Sequence, residues 1–156
     1  MKINGFTLIE ILVVLGITVI LATGGFLSLS GLRRHQSLRL SAEGMVAFLQ
    51  DAQQRSVSQE GGLGWGVHFE NSATDRGYYL RFSGSDYSVS ADKVDRVALP
   101  SGIEFADPID GSAKDVSFAK ISGLPDAAVE VKINLSNDSA SFRTITINVQ
   151  GAIEQK

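Results

Sequence analysis

The sequence predicts an α+β protein: a long N-terminal helix, apolar in its first half and amphipathic in its second, packed on an antiparallel β-sheet domain. Three observations predict it. From Ile11 to Leu29 there is no charged side chain, and those 19 residues match the length of a helix that spans a bilayer core. From Leu38 onward, Leu38, Ala42, Met45, Leu49 and Ala52 recur at helical spacing, while Arg39, Glu43, Gln50, Asp51, Gln53 and Gln54 fill the other side. Beyond Gly61-Gly62 the period drops to two, as in Trp65-Gly66-Val67-His68-Phe69.

Taken in order, residues 6–32 are expected to form a transmembrane helix, about 40 Å long at 1.5 Å per residue. Gly16 and the pair Gly24-Gly25 are its weak points, because glycine costs a helix interior roughly 1 kcal/mol relative to alanine. Gly24 and Gly25 are the candidate melting point. Arg33, Arg34, His35 and Arg39 follow, suited to snorkelling at a membrane surface. Residues 33–60 continue as the amphipathic helix, which Gly61-Gly62 stops.

Residues 61–156 form a β-rich globular domain. Strands are expected at Trp65–Phe69, Tyr79–Phe82, Tyr87–Val89, Val94–Leu99, Ile103–Phe105, Val116–Ile121, Val129–Leu135, Phe142–Val149 and Ala152–Glu154. Glu130, Lys132 and Asn134 alternate along one of them, so the sheet keeps one wet face and lays the other on the helix. Asn71–Gly77 and Ala106–Lys114 are the expected exposed loops.

Composition narrows the function. A net charge of −3 with no basic block longer than Arg33-Arg34 argues against nucleic acid as a partner. The absence of cysteine removes disulfides and thiolate metal sites. Two histidines, His35 at the expected membrane surface and His68 on the solvent side of a strand, support no catalytic triad. Gly61–Gly66 lacks the Lys-Ser/Thr of a phosphate loop and leads into a strand. Asp107, Asp110 and Asp115 match no defined cation loop and read as a solvated acidic stretch. The acceptor patterns Asn134-Leu135-Ser136 and Asn137-Asp138-Ser139 are short enough to arise by chance. No catalytic residue, metal ligand or cofactor site is expected, and the chain reads as a non-enzyme.

What remains is one carboxylate, Glu10, at the entrance of the apolar run, where a charge is costly without a purpose. Met1-Lys2-Ile3-Asn4-Gly5 followed by Phe6-Thr7-Leu8-Ile9-Glu10 resembles the class III signal of type IV pilins and type II secretion pseudopilins. The resemblance implies a pilin-like fold and cleavage by a prepilin peptidase between Gly5 and Phe6, with residues 1–5 as the leader. It implies N-methylation of Phe6 and a salt bridge from Glu10 to the N-terminal amine of a neighbouring subunit. It also makes 6–32 the filament-core helix.

Lys2 before the run and Arg33, Arg34 and Arg39 after it would by charge count put the C-terminal side in the cytoplasm. The motif implies the reverse and carries more weight. The implied precursor is single-pass in the cytoplasmic (inner) membrane with its C-terminal domain outside, and it later joins a periplasmic or extracellular filament. Its partners would be other pilin or pseudopilin subunits, the peptidase, the inner-membrane assembly platform and, before assembly, membrane lipid.

The function expected is that of a structural subunit, a minor one, of a type IV pilus-like or secretion pseudopilus filament. The strand-rich remainder is similar to the minor pseudopilin H and FimT-like group. FimT-like DNA-uptake proteins carry arginines near the C-terminus, whereas Gln150–Lys156 holds one lysine and one glutamate. A DNA-uptake receptor and a membrane-anchored binding module are the alternatives.

Overall fold

A computed structural model describes residues 7–90 and 92–156, residues 23–30 by backbone alone. The chain divides into two compact units, Met1–Arg34 and His35–Lys156. Helix α1 spans Leu8–Val57 without interruption, so the apolar and amphipathic stretches are one helix. Its start is set by Thr7, whose hydroxyl accepts the Glu10 N–H at 3.3 Å while its carbonyl accepts the Ile11 N–H. Thr-x-x-Glu ahead of an apolar run is the sequence signature of such a cap. The helix ends three residues before the expected glutamate. Gln59 adopts a left-handed conformation, and Glu60–Gly62 form a separate 3₁₀ turn.

Eight strands follow: β1 Trp65–Asn71, β2 Tyr78–Ser83, β3 Lys93–Ala98, β4 Ile103–Asp107, β5 Ser112–Phe118, β6 Val129–Leu135, β7 Asp138–Ile147 and β8 Ile153–Gln155. Every pairing is antiparallel, as expected. The strands nevertheless divide between two four-stranded sheets. Sheet A has the order β3-β2-β1-β5, and sheet B the order β4-β6-β7-β8. The chain therefore visits sheet B with β4 before it completes sheet A with β5. Of the strands read from the sequence, Tyr87–Val89 is a turn, and the fifth strand begins at Ser112, inside the stretch expected to be a loop.

One core joins the amphipathic half of α1 to both sheets. Leu38, Ala42, Met45, Leu49 and Ala52 are buried with Trp65, Val67, Phe69 and Val116 of sheet A and with Val131, Ile133, Ile145 and Ile147 of sheet B. Each large side chain taken out of water contributes about 1.5–3 kcal/mol, so this stripe fixes the helix against the sheets. Ser56 closes the helix end: buried, it accepts the Trp65 N–H at 2.7 Å and lies 3.1 Å from the Ala52 carbonyl. Arg81 on β2 pairs with Asp51 of α1 and, at 3.0 Å, with Asp95 of β3, its guanidinium 4.2 Å from the Phe48 ring.

Sheet A has a second covered face. Gly66, His68, Leu80 and Phe82 point away from α1, by the register that pairs Gly66 with Phe82 and His68 with Leu80. A side chain at Gly66 would collide with Phe82, since an added Cβ would lie 2.3 Å from the ring. Tyr87, from the segment after β2, lies over this face, edge-on to Phe82 at 5.7 Å.

Candidate functional site

Along the first fourteen described helical residues, Leu8 to Leu21, every large apolar side chain is 52–78% exposed. Such a surface is not stable in water and asks for lipid or other apolar helices around it. The one hydroxyl in its middle, Thr18, donates to the Val14 carbonyl at 2.7 Å and so is satisfied within the helix. Among the described residues no helix is long and apolar enough to cross a membrane. The expected run Ile11–Leu29 continues into residues 23–30, whose side chains lie outside those described.

Glu10 sits in the first turn of α1, exposed, with its backbone N–H tied to Thr7. A carboxylate there is favoured by the helix dipole. Among the described residues no ion pair includes it. Gly5 and Phe6 lie outside the described residues. Gly24 and Gly25 fall inside the continuous helix α1. Arg33, Arg34 and His35 are all exposed. The structure thus places Glu10 at the head of the exposed apolar surface.

The globular unit holds a polar cluster that the sequence reading missed. His68 was expected to face solvent, yet it is 3% exposed, because the segment carrying Tyr87 covers the outer face of sheet A. Its Nδ1 lies 2.5 Å from Asp115 Oδ1 of β5, and its Nε2 lies 3.0 Å from Glu70 Oε2 of β1. Tyr78 of β2 donates its hydroxyl to the same Glu70 oxygen at 2.9 Å. Burial works against a charged His68, but the hydrogen bonds and charges of Asp115 and Glu70 outweigh it and hold the imidazole above its ordinary 6.5. His68, then Tyr78, holds Glu70 below the usual carboxylate range. Burial, then the Glu70 hydrogen bond, leaves Tyr78 pushed up to about 12. The available signal was His68 and Glu70 two residues apart on one strand face; Asp115 is 47 residues away and readable only from the β1–β5 register.

Two of the three carboxylates of the acidic stretch are paired. Asp107 pairs with Lys114, and Asp115 with His68. Among the described residues no group of three or more His, Cys, Asp or Glu side chains could hold a metal ion. Asn134 is buried and donates to Glu104 and the Leu135 carbonyl, so its acceptor pattern is inaccessible.

Comparison with known proteins agrees with the two ends of this picture. Residues 1–26 match the family model of the prokaryotic N-terminal methylation motif. No curated protein matches the chain. Two crystal structures of the type IV minor pilin FimU of Pseudomonas aeruginosa strain PAO1 share its fold at 16% identity. One, in space group P65, has a TM-score of 0.53 over 76% of this chain and 92% of that one. The other, in space group P21, has a TM-score of 0.57 over 78% of this chain and 89% of that one. The chain thus joins a prokaryotic N-terminal methylation motif to a long helix and antiparallel sheets that share the fold of a type IV minor pilin.

Proposed function

We propose that the chain is a minor subunit of a type IV pilus-like or type II secretion pseudopilus filament. A prepilin peptidase removes Met1–Gly5, Phe6 is methylated, and α1 passes from lipid into the filament core. Before assembly the protein is held in the cytoplasmic membrane by its first unit, with Arg33 and Arg34 at the headgroups and the β-domain outside. The assembly platform then delivers it to other subunits. The observation that carries this reading is an exposed apolar helix surface, Leu8 to Leu21, headed by the single carboxylate Glu10 inside a matched methylation motif.

Glu10 takes the N-terminal amine of a neighbouring Phe6. A carboxylate and an ammonium among apolar helices each carry a large desolvation penalty alone, and each offsets much of the other's. Only one axial stagger joins them, so the pair sets register. The minor role is supported by the name of the structural neighbour, a minor pilin.

Glu10→Ala is expected to be cleaved and methylated as in the wild type, by intact mass, and to be missing from the sheared filament fraction. Wild-type levels of Glu10→Ala in filaments would sink the register role. Retention of Met1–Gly5 in the wild-type protein would sink the subunit reading and leave an anchored module.

A further inference from the structure

We propose that residues 84–90 form a pH-operated latch over the outer face of sheet A, closed by the imidazolium of His68 and released when that ring loses its proton. The geometry of the ring is the ground for it. A neutral imidazole has one N–H and one lone pair, but both nitrogens of His68 face carboxylate oxygens, at 2.5 Å and 3.0 Å. In either neutral tautomer a lone pair would meet an acceptor, and the ring is too buried for water to intervene. With both carboxylates ionised, only the doubly protonated ring satisfies Asp115 and Glu70 together.

The latch rests on this charge. The Tyr87 ring stacks on His68 at 3.6 Å with a 7° interplanar angle, so its π face lies on the imidazolium. The rest of the segment makes its hydrogen bonds locally. Asp86 accepts the Ser88 N–H and hydroxyl, and Ser90 bonds the Tyr87 and Asp92 carbonyls. Ser85, Asp86, Ser88 and Val89 are exposed. At the base, Gly84 at φ 103° donates to the Gly64 carbonyl, and Ser83 pairs with Asp92. Tyr87 is thus the segment's ring contact with the sheet, meeting fully buried Phe82 edge-on as well as His68.

The charged and titratable groups around His68 come from four elements. Asp115 comes from β5, Glu70 from β1 and Tyr78 from β2. From β3, Lys93 lies 4.0 Å from the Tyr87 ring and Arg96 3.9 Å from the Tyr78 ring. Lys93 keeps a hold on Tyr87 after His68 is neutral, so release is partial. Because the His68 proton is held more tightly when folded, its contribution is complete below pH 6.5 and lost as pH rises through the raised value. The depressed Glu70 acts at the other end, its contribution failing only in acid. The latch is therefore shut below pH 6.5 and loosens as pH rises through the raised His68 value.

The test uses the full chain in detergent micelles. Hydrogen exchange of peptides covering 84–92, corrected for intrinsic rates, is followed from pH 5 to 9.5 alongside the NMR titration of the His68 ring. Protection is expected to fall about tenfold with the same midpoint as the ring titration. Tyr87→Leu, which leaves His68 and its carboxylates in place, is expected to show low protection that does not follow the ring titration. His68→Gln is expected to show a flat profile. Protection that stays constant through the His68 titration, a His68 midpoint at or below 6.5, or a Tyr87→Leu profile like the wild type would each overturn the latch.

Discussion

Leu15 and Leu49 are the same side chain on the same helix, and their surroundings are opposite. Leu15 is 57% exposed, while Leu49 is fully buried against the strands of the second unit. Across the first region, from Leu8 to Leu21, apolar character is continuous around the helix; across the second, from Leu38 to Ala52, it is confined to a stripe. A stripe specifies one packing partner and one rotation of the helix. An all-round apolar surface specifies only a class of environment, and so suits a segment that must leave lipid and enter a bundle. The second region holds the protein's fold, and the first asks for an apolar environment around it.

The comparison can be broken most decisively with matched truncations. Leu49→Ala should cost the globular unit about 3–4 kcal/mol, as buried leucines do when a cavity is left. Leu15→Ala should change the same transition by less than about 0.5 kcal/mol. Denaturant unfolding of the detergent-solubilised chain, followed by fluorescence of the single tryptophan, Trp65, reads both. Comparable losses would show that the first region also packs for stability.

Ser56→Ala sharpens the other end of the stripe. It leaves the buried Trp65 N–H without its acceptor, and a loss of about 2 kcal/mol is expected in that assay. A neutral result would mean that the helix end is held by packing alone. The smallest effect belongs to the first region. Thr7→Ala removes the cap on the Glu10 N–H and should weaken the first turn by about 1 kcal/mol. It should appear as faster amide exchange near Glu10 with no shift in the Trp65 transition.

Much of this was legible in the residues. The stripe Leu38–Ala52 and six or more of the strands follow from period alone, because those side chains are either wholly inside or wholly outside. The N-terminal motif was legible because its chemistry is local in sequence. His68 was not. Alternation says which face of a strand a side chain takes, never whether that face is covered, and the cover here is Tyr87, itself read as part of a strand. Its ring is half-buried because it meets His68 and Phe82, not because the backbone around it is extended. Likewise the division into two sheets depends on which strands pair. Trp65 opposite both Ser83 and Phe118 is a long-range fact that no window of the sequence contains.

The order of the strands also constrains how the molecule is made. Sheet A lacks its edge strand until β5 pairs with β1, while β4, which precedes β5, must wait for the later β6 before it has a partner in sheet B. Neither sheet is the product of one contiguous stretch, and the stripe of α1 lies against both. A ribosome or a translocon that has released the chain only to Asp107 has produced neither sheet in full. The closures that remain, β5 onto β1 and β6 onto β4, span some 30 to 50 residues and are slow steps for that reason. The domain should consequently gain its protection against proteases late and all at once, well after the whole of α1 has been made.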